Sequence, residues 1–207
     1  MRSLAGLGDR GQAFPFYIAA IAGLLFAALA FFVVGQAGAT RSDAQGAADA
    51  AALAAAGDAR DHLAGDVDLA TLPSADWEKL LGGVGLDGLN GCDAAHRFAA
   101  LNGAEASCTR SGLTFAVGVK TTRTVGKSVI PGTEAMHGSA NAVAVIKPLC
   151  HLGGSAKPGV DLDDDAPGPL SQVKIVCGRG TEVIFDPAKP VPWTGIARKL
   201  FDVRLTD

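Results

Sequence analysis

Four cysteines and four histidines are the residues of this 207-residue chain best suited to bind metal or form covalent bonds. Cys92-x3-His96 and the adjacent pair Cys150-His151 have the donor types of a zinc site. Neither shows the paired C-x2-C…H-x3-H spacing that closes a tetrahedron. His62 and His137 have no nearby partner in the sequence and read as plain surface residues. Asp161-x-Asp163-x-Asp165 supplies the first carboxylates of a calcium loop. The pattern then fails, with Ala166 where glycine makes the turn and Gln172 where a bidentate glutamate is needed. It reads as a solvated acidic loop. The sequence contains no nucleophile elbow, zinc-protease helix, phosphate-cradling loop or dinucleotide fingerprint. We therefore expect no enzyme, no metal, no cofactor and no small-molecule ligand. The chemistry left is thiol oxidation. Cys92, Cys108, Cys150 and Cys177 allow three pairings, which sequence alone does not separate; we favour Cys92–Cys108 and Cys150–Cys177, because each closes a short local loop.

Composition narrows the class further. The net charge is -3 and the pI about 5.8, which leaves no basic surface to neutralise phosphates, so nucleic-acid binding is not expected. Aromatic residues make up 6% of the chain, and alanine and glycine dominate its apolar part. Such residues bury little volume each, so a domain built from them needs covalent support.

The elements that would position these cysteines start from a membrane anchor. From Gly11 to Thr40 no side chain is charged, and Phe14 to Val34 contains no strongly polar group. A helix needs roughly 20 apolar residues to cross the hydrocarbon core, and this run suffices. Pro15 falls where the first helical turn begins, where its missing N–H costs little. Arg2 and Arg10 precede the run against the single acid Asp9, whereas the other flank opens with Arg41 but then shows Asp43, Asp49, Asp58 and Asp61. The positive-inside bias then puts the N-terminus in the cytoplasm and the cysteines in an oxidising compartment. Ala37-Gly38-Ala39 resembles a signal-peptide cleavage site, but the apolar run exceeds the 7–15 residues of a typical signal core. A retained anchor is expected.

The helix should not stop at the membrane. Residues 41–58 are dominated by alanine, the best helix former, and no proline lies between Pro15 and Pro73. One helix from near Pro15 to near Leu63 would be about 70 Å long, with Gly57 as an early stop. Its surface carries small residues at helical spacing: Ala19, Gly23 and Ala27, then Gly35 and Ala39, then Ala44, Ala48, Ala51 and Ala55. Such rows let another helix backbone approach closely. We expect this face to pack against a partner helix, with Ala48→Leu or Gly23→Leu breaking the association while the outer domain still folds.

Beyond residue 63 the texture is α+β. Residues 76–81 suggest a short helix, capped by Ser74 and stopped by Gly82-Gly83, and residues 92–102 a second. Alternating apolar residues suggest strands over 113–122, 124–130, 140–147, 172–177 and 182–185, with a last strand near Phe201, Val203 and Leu205. Residues 153–169, rich in Gly, Pro and Asp, read as an exposed loop. The expected organisation is a cytoplasmic segment 1–12, a transmembrane helix 13–39, a helical extension 40–63 and a small disulfide-bonded extracytoplasmic domain 64–207.

The entry Gly11-Gln12-Ala13 and the block Ala44-Gln45-Gly46-Ala47-Ala48-Asp49-Ala50-Ala51-Ala52-Leu53-Ala54 resemble the N-terminal module of TadE/TadG-like proteins. That family belongs to the bacterial tight-adherence (Tad, or Flp) pilus-assembly system. Phe98-Ala99-Ala100-Leu101-Asn102, Val129-Ile130-Pro131-Gly132-Thr133-Glu134 and the four cysteines look like TadG-related proteins of actinobacteria. The resemblance implies a pilin-like fold and a membrane-anchored accessory or minor pilin-like component. Its partners would be the membrane and other pilus-assembly or pilin-like membrane proteins. Prepilin-type pseudopilins carry a glutamate five residues after the processing glycine; counted from Gly11, this chain has Phe16. Processing by a prepilin peptidase is therefore not expected. The chain is also shorter than TadG proteins that hold a large von Willebrand-like domain. The competing expectation is a secreted or tethered cell-envelope domain that uses the 153–169 loop or its sheet face to hold a ligand.

Overall fold

A computed structural model describes residues 13–63, 68–69, 71–84, 90–126, 132–153, 172–186, 189 and 192–206. The segment 1–12, residues 127–131 and all but the first residue of the 153–169 loop, with its Asp161–Asp165 pattern, lie outside the described residues.

Helix α1 runs unbroken over Ala13–Asp61, so the predicted continuation past the membrane segment is present and Gly57 does not end it. Its first half presents Phe14, Phe16, Tyr17, Leu24, Leu25, Phe26, Phe31 and Val34 outward, all of them exposed among the described residues. This apolar stretch is long enough to cross a membrane. The environment then changes abruptly. Ala44, Ala47, Ala48, Ala51, Ala52, Ala55, Ala56 and Ala59 are all buried, a stripe with the 3.6-residue period of one helix face.

That stripe is covered by a four-stranded antiparallel sheet of order β1-β2-β3-β7. Its strands are β1 (Ala104–Ser111), β2 (Thr114–Thr124), β3 (His137–Pro148) and β7 (Phe201–Thr206). Two-residue alternation sends Phe115, Val117, Val119 and Thr121 of β2, with Ala142, Ala144 and Ile146 of β3, into the core. The bulk comes from the sheet and the smoothness from the helix. Where they are closest, only glycine fits: a Cβ on Gly138 would lie 2.6 Å from the Thr40 carbonyl and 3.2 Å from Ala44 Cβ.

Helix α3 (Cys92–Leu101) lies on α1 through Ala94, Ala95 and Ala99, and Gly91 at its start abuts the Ala55 carbonyl. A smaller three-stranded antiparallel sheet, β4 (Cys150–Leu152), β5 (Val173–Cys177) and β6 (Glu182–Phe185), caps the far end together with α2 (Ser74–Gly82). There Trp77 and Phe185 pack with ring centroids 5.3 Å apart. Helix α4 (Trp193–Leu200) leads into β7 and buries Ile196, Ala197 and Leu200. The architecture is α+β, with a long N-terminal helix, short helices and antiparallel sheets.

Several local expectations are corrected. Ser74 is the first helical residue of α2 and Pro73 precedes it, so Ser74 is not the cap; Gly83, at φ 73°, ends the helix as expected. Thr124, expected to open a strand over 124–130, instead ends β2, and residues 127–130 of that strand lie outside the described residues. Strands β1 and β4 and helix α4 are additions. His137 is not a plain surface residue: half-buried, it donates from Nδ1 to the Thr121 carbonyl at 2.6 Å.

Candidate interaction surface of the long helix

The described residues contain no group of three or more His, Cys, Asp or Glu placed to hold a metal ion. The cysteines pair as Cys92–Cys108 and Cys150–Cys177. The first ties the start of α3 to β1. The second joins directly opposed residues of β4 and β5. Each therefore closes a short loop and pins a peripheral element to the core.

The remaining candidate site is α1 itself. Ala44, Ala48, Ala51 and Ala55, expected to face a partner helix, are instead buried beneath the chain's own β2, β3 and α3. The sequence pattern was a packing face, but its occupant is intramolecular. Ala19, Gly23, Ala27, Gly35 and Ala39 are all exposed, and a Cβ on Gly23 or Gly35 would meet nothing within 4 Å. At about 3.6 residues per turn, Ala19, Gly23 and Ala27 project on the same side of α1 as the buried stripe. Gly35 and Ala39 point the opposite way. The two membrane rows are therefore distinct faces.

Following the second face outward, Gly35 and Ala39 are succeeded at helical spacing by Ser42, Gly46, Ala50, Leu53 and Gly57. Gly35, Gly46 and Gly57 all have open space where a side chain would be. Leu53, the largest apolar residue of the 44–56 block, is 37% exposed. Each helix-interior glycine costs about 1 kcal/mol against alanine. Here no described residue uses the room these glycines leave. Sequence reasoning named Gly35 and Ala39 but missed their continuation through Gly46, Leu53 and Gly57, because the richer alanine pattern on the opposite face drew the same interpretation. Its signal was the placement of Leu53 away from the alanines.

The distal end of α1 is fastened by charge. Asp61 accepts from Arg60 Nη2 at 2.8 Å and from Arg198 Nη2 of α4 at 3.0 Å. Trp193 Nε1 donates to the Arg60 carbonyl at 3.4 Å, covering one of the last carbonyls of the helix. Burial pushes the Asp61 carboxyl up, but hydrogen bonds from Arg198 and Arg60, with their charges, outweigh it and hold the group below its ordinary value.

No curated protein and no solved structure matches this chain. The family model of the Tad family, Flp pilus-assembly TadE/G-like, matches residues 11–58. The matched segment coincides with α1, including both the apolar half and the half that carries the sheet on one side and the open row on the other. The chain is thus similar to the TadE/G-like Flp pilus-assembly family over residues 11–58, about a quarter of its length.

Proposed function

We propose that this chain is a membrane-anchored accessory, minor pilin-like component of a Tad (Flp) pilus or related secretion assembly, acting through helix packing and protein–protein contacts rather than catalysis. The observation that carries the reading is the coincidence of the family match at 11–58 with a helix whose matched length keeps an uncovered small-residue face. The anchor crosses once, with the N-terminus cytoplasmic and the disulfide-bonded domain outside. The arginines before the apolar run and the two disulfides after it support that orientation independently. The partners are other membrane proteins of the assembly.

The test is co-purification from native membranes in mild detergent. Wild type should carry other membrane components of the assembly. Gly23→Leu and Gly35→Leu should lose them, while thermal unfolding of the outer domain stays unchanged. A wild-type chain that purifies alone would contradict the proposal.

A further inference from the structure

The end of the sheet nearest the apolar half of α1 is placed against whatever surrounds that half. Strand β3 runs alongside α1 in the same direction. Gly138 lies on Thr40 and Ala44, and the Asn141 carbonyl accepts from Gln45 Nε2 at 3.5 Å. Moving back along β3 from Gly138 therefore moves toward the apolar segment. The ladder continues that way through the pair Thr124–His137 and a bond from Val125 N–H to the Met136 carbonyl at 2.8 Å. From Val34, the last large apolar residue of the run, to Thr40 the helix rises about 9 Å. Two strand residues beyond Gly138 descend about 6 Å. The headgroup layer is about 5–8 Å deep on each side of a bilayer. The Val125–Met136 pair thus reaches into that layer.

The side chains suit it. Met136 is 56% exposed although apolar. Arg41 of α1 and Arg123 of β2 are exposed at the same end, with the carboxylates Asp43 and Glu134. Arg123 lies within an irregularity of β2, where the register to β3 shifts between Lys120 and Thr124. The buried Thr121 hydroxyl bridges that shift, donating to the Arg123 carbonyl at 2.7 Å and accepting from the Gly138 N–H at 2.9 Å. The bulge borders a cleft of about 440 Å³ that also runs up α1 past Gly46 and Ala47 to the Asn102-Gly103 turn. The long side chains of Arg41 and Arg123, beside the carboxylate of Glu134, match a phospholipid headgroup, which offers a phosphate and, in zwitterionic lipids, an amine.

We propose that the paired ends of β2 and β3 around Arg123 and Met136 dock on the phospholipid headgroup layer beside the span, with Met136 at the acyl boundary and Arg123 on lipid phosphate. This rests on residues 14–34 being a membrane span. Docking fixes the domain's height and tilt over the bilayer, so the open face of α1 is presented in one orientation. The experiment places single spin labels at Met136→Cys, Ile184→Cys and Phe26→Cys in the full, disulfide-intact chain. Each variant is reconstituted in bilayers of phosphatidylcholine and phosphatidylethanolamine. Depth is read from collisions with oxygen and with a water-soluble nickel chelate. Ile184, 59% exposed on β6, should report water, and Phe26 should report hydrocarbon. The label at 136 should meet nickel several-fold less often than the label at 184. Equal nickel access at 136 and 184, with 26 in hydrocarbon, overturns the docking and leaves the span standing. A label at 26 that reports water removes the span and the docking together.

Discussion

Ala48 and Gly46 stand two residues apart on α1 and do opposite things. Ala48 has no exposed surface and touches the sheet side, whereas Gly46 has empty space where its side chain would be. Leucine at 48 must push the helix off β3, and overpacking of this kind costs about 1–3 kcal/mol. We predict that Ala48→Leu lowers the thermal midpoint of the domain, measured by circular dichroism. This reverses the sequence-based expectation that the variant would spare the fold. Gly46→Leu should leave the midpoint unchanged or raise it slightly, because glycine is a poor helix former. The Asp61 carboxylate makes a smaller, pH-dependent contribution. Its folded-state value lies below the ordinary one, so its stabilisation is complete above the unfolded value near about 3.9 and disappears as pH falls through the folded value. Asp61→Asn should flatten the acid limb of the stability curve by no more than about 1 kcal/mol, with little change in pH dependence near neutrality. An unchanged acid limb would detach Asp61 from the fastening of α1 to α4.

At the scale of elements, legibility followed side-chain size. The charge-free run and the absence of proline marked α1, and the alternation of Leu113, Phe115, Val117 and Val119 marked β2. Strand β1 turns only Ala104, Ala106 and Cys108 toward the core, too little apolar contrast for a two-residue period to register. Helix α4 begins Trp193-Thr194-Gly195, poor helix formers, and only its buried face of Ile196, Ala197 and Leu200 justifies it. Most telling is the alanine stripe. Periodicity identifies a face that wants a close neighbour, and cannot say whether that neighbour is the same chain or another. The disulfides act at this scale too. With so little aromatic bulk, each should contribute about 2–4 kcal/mol by restricting the unfolded chain. Cys92→Ser/Cys108→Ser should loosen α3 and β1, seen as faster hydrogen exchange there, while β5 and β6 keep their protection. Uniform loss across both sheets would mean that the two ends of the domain unfold as one unit.

The whole molecule is one helix divided lengthwise and around its circumference. Its first half is apolar, exposed and long enough to cross a membrane, and its second half gives one side to its own sheet and leaves the other uncovered by any described residue. A domain mounted this way cannot swing about α1, because the contact runs from Thr40 to Asp61. On the proposed function, a partner helix packs along the side of Gly35, Ala39, Gly46, Leu53 and Gly57. That claim is tested most directly by a photocrosslinker placed at successive positions from 35 to 57 in the native membrane. Crosslinks to other proteins are predicted at 35, 39, 46, 53 and 57, and none at 44, 48, 51 and 55. Crosslinks centred on the four alanines, or absent from every position, would contradict it.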